Sequence, residues 1–157
     1  MDLQIPPGVE RGQRLRVDSA GPAGSRGAPN GDLYVLIDVV AHPEYERRGT
    51  DLLTLRRVSI TQVALGAVLN IETLDGDEQL VIPPGTQPGK VFVLRGRGVP
   101  ALGGRGRGDI HVHVDVEIPK KLTEAEDTLL RQLAEIRGDA VAPRDANFLS
   151  KIKSAFQ

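Results

Sequence analysis

IPPGVERGQRLRVDSAGPAGSRGAPNGDLYVLIDV (residues 5–39) and IPPGTQPGKVFVLRGRGVPALGGRGRGDIHVHVDV (residues 82–116) are two versions of one stretch. They align without a gap, Ile5 on Ile82, 77 residues apart. Ile-Pro-Pro-Gly opens both, Gly12 meets Gly89, Gly21 meets Gly98, Gly31-Asp32 meets Gly108-Asp109, and a strand-like run closes each. An ungapped match of this length marks two copies of one supersecondary unit, too few for a solenoid and therefore a duplicated domain. Each opening is a turn, because Pro fixes φ and Gly permits positive φ.

Working outward, period-2 alternation and turn residues predict strands at 14–17, 33–40, 52–60, 67–74, 78–82, 91–94 and 110–118. In 110–118, Ile110, Val112, Val114 and Val116 face inward while His111, His113, Asp115 and Glu117 face out. In 33–40, Leu33, Val35, Ile37 and Val39 share a face, and Tyr34, Leu36 and Val40 make the opposite face more apolar than solvent requires. Residues 61–66 read as one helical turn stopped by Gly66, and Asp75-Gly76 reads as a two-residue hairpin turn. Thr123 and Glu126 form a capping box, and Leu129, Leu130, Leu133 and Ile136 form one helical stripe ending at Gly138. Phe148, Leu149, Ile152 and Phe156 predict a short amphipathic tail helix over 147–156.

The copies are unequally equipped. The second follows a strand, turn, strand and hairpin segment of about thirty residues on which its sheet closes; the first follows only four residues. The expected partition is therefore 1–45 as the second half of a truncated β-domain, 46–122 as a whole β-domain, 123–138 as a helix, and 139–157 as linker and tail. The fold class expected is mainly β: two tandem sandwich-like domains, the first incomplete, followed by an α-helix. A fragment of a longer protein is the expectation.

The 157 residues are 39% hydrophobic and 26% charged, ordinary for a globular chain, but only 3% aromatic with no Trp, so the core is aliphatic. A net charge of −1 supplies no global field for nucleic acid or an anionic membrane. The absence of Cys excludes thiol catalysis, disulfides and Cys-ligated zinc within these residues. No apolar run reaches membrane-spanning length and no signal-peptide pattern is present, which sets a cytoplasmic location as the expectation.

Candidate chemistry is sparse. His111 and His113 share a strand face, and Asp115 lies on it too, but only one other His exists, so a solvated face is the better reading and no metal is expected. Arg95 to Arg97 and Arg105 to Arg107 resemble RGG nucleic-acid segments. The aligned loop of the first copy is equally Gly-rich with a single Arg, so backbone conformation accounts for both. The glycines fail as phosphate loops, since no Gly-Lys-Ser/Thr or following helix accompanies them. His42-Pro43-Glu44 approaches the His-Pro-Asp of J-domains but sits between strands rather than helices. No nucleophile elbow or paired-carboxylate spacing indicates an enzyme. The stripe on the 123–138 helix serves either its own domain or a second chain.

The motifs IPPGVERGQRLRV (5–17), GDLYV (31–35), HPEYERRGTDL (42–52), ALG (64–66), ETLDG (72–76), IPPGTQPGK (82–90), RGRGV (95–99) and GDIHV (108–112) resemble, in order and spacing, the C-terminal substrate-binding region of the DnaJ (40-kDa heat-shock) co-chaperones. The resemblance covers nearly the whole chain. It implies two tandem β-sandwich domains and a dimerisation helix, with Leu129, Leu130, Leu133 and Ile136 facing a second copy. It implies binding of unfolded or extended client polypeptides through a sheet edge and an apolar pocket, with Leu15, Val17 and Tyr45 at matching positions. It also implies delivery of clients to the 70-kDa heat-shock chaperone through the full-length protein, and no cofactor. The J-domain and zinc module that accompany such regions have no counterpart in these residues. A β-sandwich carbohydrate-binding or adhesion module is the alternative, though it would call for aromatic platforms that are nearly lacking here.

Overall fold

A computed structural model describes residues 3–144, so the tail helix expected over 147–156 lies outside the described residues. The chain divides into two compact units, Met1–Ile118 and Pro119–Gln157. The first unit is mainly β, as expected. Its strands are β1 (Arg14–Val17), β2 (Leu33–Leu36), β3 (Glu46–Arg48), β4 (Asp51–Ser59), β5 (Ala67–Thr73), β6 (Gly76–Ile82), β7 (Val91–Leu94) and β8 (Ile110–Glu117). A helix α1 (Ile60–Leu65) separates β4 from β5. The second unit carries α2 (Glu124–Arg137).

The strands form a two-stranded sheet β1-β2, a four-stranded sheet β3-β4-β8-β7, and a hairpin β5-β6. The aliphatic core lies between the last two. Leu52 and Val58 of β4, Ile110, Val112 and Val114 of β8 and Leu94 of β7 are buried with Ile71, Leu80 and Ile82 of the hairpin and Val63 of α1. On β8 the alternation read from sequence is realised, since Ile110, Val112 and Val114 are buried while His111, His113 and Asp115 are not. β4 pairs with β8 in parallel, Leu52 opposite Ile110 through Ser59 opposite Glu117. Hairpins cannot make such a pairing; it needs a long crossover, supplied here by everything between the two strands.

The duplication extends to register. In the first copy Arg14 pairs with Leu36, Leu15 with Val35, Arg16 with Tyr34 and Val17 with Leu33. The aligned residues of the second copy pair identically, Val91 with His113, Phe92 with Val112, Val93 with His111 and Leu94 with Ile110. The bond from Gly12 N to Ile37 O (2.8 Å) recurs from Gly89 N to Val114 O (2.9 Å), and that from Gly21 N to Gly31 O (2.7 Å) recurs from Gly98 N to Gly108 O (2.8 Å). Even positive φ is shared: Ser19, at 55°, occupies the place of Gly96, at 68°. The loop therefore demands a left-handed residue there in both copies, whether or not Gly supplies it.

The copies differ in cover. Ile110 is fully buried, whereas its counterpart Leu33 is 39% exposed, and Tyr34, Leu36 and Val40 are exposed as well. β1 and β2 pair only with each other among the described residues, and a two-stranded ribbon buries little. This accounts for the shortening of the strand expected over 33–40: Ile37 still bonds to Gln13 O at 2.8 Å, but beyond it no partner strand continues.

Three local signals resolve at the residue level. α1 begins one residue earlier than expected because Ser59 caps it: the Ser59 hydroxyl accepts from Gln62 N at 3.2 Å, and Gln62 Oε1 accepts from Ser59 N at 3.1 Å. The hairpin turn falls on Leu74 and Asp75, with Thr73 opposite Gly76. The Thr73 hydroxyl fixes that register by donating to Gly76 O at 2.6 Å and accepting from Asp75 N at 3.2 Å. In the second unit, α2 starts with the expected capping box of Thr123 and Glu126 and ends on left-handed Gly138.

Candidate functional site

A cavity of about 700 Å³ opens where the first copy meets the second. Glu10, Arg11, Val39 and Val40 come from the first copy and its end, Val99 and Ile110 from the second, and Tyr45, Leu52 and Leu74 from the segment between them. Its volume falls within the range of about 300–1,000 Å³ usual for ligand sites.

Tyr45 stands between core and cavity. Its half-buried ring packs against the core cluster, and its hydroxyl donates to Glu72 O at 2.5 Å. Burial pushes the phenol upward, with Arg56 working against that shift. His42 lies beside it, ring centroids 5.3 Å apart and tilted. Glu44, next to Tyr45, accepts from Arg56 at 2.7 Å. β3 follows at once and is an edge strand of the four-stranded sheet, so the cavity lies beside backbone groups that no other described strand engages.

Two polar clasps hold the walls. Arg47, on β3, donates to the carbonyls of Val9 (2.7 Å), Gly8 (2.8 Å) and Gly49 (2.8 Å). At the hairpin tip, Asp75 receives Arg107 at 2.7 Å and Arg97 at 3.5 Å. The hydrogen bond from Arg107, aided by Arg97, lowers the Asp75 carboxyl below its ordinary 3.8. Because Leu74 and Val99 line the cavity, this clasp joins two of its walls. A third polar contact lies nearby: Asp51 Oδ1 accepts from Asp109 N at 2.8 Å, which lowers the Asp51 carboxyl, and Oδ2 stands 3.3 Å from His111 Nε2.

The residues singled out from sequence separate. Tyr45 lines the cavity; Leu15 and Val17 do not, lying half-buried on β1 opposite Val35 and Leu33. On α2, Leu129 (64%), Leu133 (50%) and Ile136 (84%) are exposed, and Leu130 is half-buried. Arg97 and Arg107 of the RGG-like loop are turned onto Asp75 and Glu78. Among the described residues no three His, Cys, Asp or Glu gather as for a metal ion, and no helix is long and apolar enough to cross a membrane. Sequence reasoning missed Arg47, Leu74 and Val99. The signal for Arg47 was its period-2 spacing from Tyr45; the other two reach the cavity only through long-range packing.

A mainly β protein built on an internal duplication, with a cavity at the junction of its copies, is the class that this fold defines. The family model described as DnaJ C terminal domain matches residues 1–119, and that described as Chaperone protein DnaJ C-terminal region matches residues 128–157. The chain belongs to the DnaJ C-terminal domain family. Relatives called Chaperone protein DnaJ include those of Halothermothrix orenii, 46% identical over 98% of this chain, and Ruminiclostridium cellulolyticum, 44% identical over 99%. That of Thermosynechococcus vestitus is 49% identical over 88% of the chain. The chain spans about two fifths of their length, 41%, 41% and 38% respectively.

Proposed function

We propose that this chain is a non-catalytic module that binds unfolded or extended polypeptide segments, and that the cavity around Tyr45 receives their large apolar side chains. The carrying observation is an apolar cavity of about 700 Å³ set beside the edge strand β3. An edge offers hydrogen bonds that do not depend on client sequence, and a pocket selects a side chain. Leu15 and Val17, with Val35 and Leu33 across the ribbon, give the same client a second apolar contact outside the cavity. Leu129, Leu130, Leu133 and Ile136 of α2 pair with a second copy in a two-fold dimer. In a complete, cytoplasmic DnaJ-type co-chaperone, the module holds clients for delivery to the 70-kDa heat-shock chaperone.

Binding is tested by fluorescence anisotropy with a labelled extended peptide rich in Leu and Phe. The wild-type chain binds it, and Tyr45→Ala weakens binding by about 1–3 kcal/mol, the usual loss on truncating an aromatic anchor. Equal affinity in the two proteins contradicts the assignment of the cavity.

A further inference from the structure

We propose that Arg47 is a positioning residue that locks the first copy onto the second and so fixes one wall of the cavity. Its effect on binding rests on the functional reading above; the lock itself rests on separate geometry. All three guanidinium nitrogens donate to backbone carbonyls. Nε reaches Gly49 O at 2.8 Å, which ties the side chain to its own loop. Nη1 and Nη2 reach Val9 O and Gly8 O at 2.7 and 2.8 Å, across 38 and 39 residues of sequence. The Glu10 carboxylate stands 3.7 Å from Nη2. A planar fork meets two adjacent carbonyls at once, a geometry that a Lys ammonium does not reproduce, and bonds from a charged donor are stronger than neutral ones.

The repeat supplies an internal control. Gly8 and Gly85 occupy the same position of the same opening turn, with φ of 86° and 77°. A Cβ on Gly85 would meet nothing within 4 Å, whereas one on Gly8 would lie 2.2 Å from Pro100 O and 3.2 Å from Leu102 N. The turn conformation is common to both copies, so the difference is docking: only the first turn is pressed against the other copy. Arg47 binds the carbonyls of that turn, and the backbone of Pro100 and Leu102 lies against its Gly8. Glu10 and Arg11, which follow directly, line the cavity with Val39 and Val40, so freeing the turn frees that wall.

Amide residual dipolar couplings on the full chain test the lock. In the wild type, couplings from β1 and β2 fit the same alignment tensor as those from β4 and β8. Arg47→Ala is expected to require two tensors while couplings within β4 and β8 keep their pattern, showing that the second copy stays folded. Arg47→Lys should fall between. Gly8→Ala should split the tensor as well, and Gly85→Ala, with a similar positive φ and open space at the Cβ, should not. Affinity for the Leu- and Phe-rich peptide should fall several-fold in Arg47→Ala and recover in part in Arg47→Lys. One tensor retained in both Arg47→Ala and Gly8→Ala overturns the lock. A split tensor in a protein whose wild type binds no peptide upholds the lock and overturns the receptor reading alone.

Discussion

Asp75 gathers two arginines at the tip of the β5-β6 hairpin. Its carboxylate accepts from Arg107 and Arg97, so its folded-state pKa lies below the ordinary 3.8. A depressed carboxyl contributes stability that is fully present above its unfolded value and is lost as pH falls through the folded value. The clasp therefore holds at neutral pH and releases only below about pH 4. Asp75→Asn should lower the denaturant midpoint at pH 7 and remove part of the wild-type decline below about pH 4, as measured by urea titration. Identical midpoints at pH 7 would show that the clasp contributes nothing measurable. The two arginines illustrate what sequence withholds at this scale: spacing alone made them resemble an RGG segment, and their partners Asp75 and Glu78 lie about twenty or more residues away in the chain. The sequence resemblance singles out Tyr45, which lines the cavity, but its bond to Glu72 O is not legible, because nothing local links the two.

Elements were read best where one face is buried. β7 falls on the expected residues and β8 within one of them, since alternation there reports a real core face. β2 is half its expected length because its faces are both apolar and neither is sealed. The short edge strand β3 is not legible in the sequence, because its three residues Glu-Arg-Arg carry no apolar signal. α2 was legible in full, with its cap, stop and stripe encoded locally. Its exposed Leu129, Leu133 and Ile136 are the basis for the proposed dimer, because burying each is worth roughly 1.5–3 kcal/mol. Leu130→Asp combined with Leu133→Asp should give a monomer in sedimentation velocity with the β circular-dichroism signal unchanged. A wild-type chain that sediments as a monomer at micromolar concentration contradicts the pairing.

Across the whole molecule, the duplication was visible in the sequence and carries through to register, but the parallel pairing of β4 with β8 and the cavity at the junction were not. Both join residues far apart in the chain, and a single sequence has no term for such contacts. The unequal cover of the copies has a kinetic consequence. Amides of β2 should exchange with deuterium faster than those of β8, whose Ile110, Val112 and Val114 are buried; equal protection would deny the first copy its looser packing. The most direct test of the receptor reading is methyl chemical-shift mapping of the full chain during titration with the Leu- and Phe-rich peptide. Shifts are predicted at Val39, Val40, Leu52, Leu74, Val99 and Ile110, the methyl-bearing walls of the cavity, and should be lost in Tyr45→Ala. Shifts confined to α2, or to the outer face of the β5-β6 hairpin at Val68 and Val81, would contradict it.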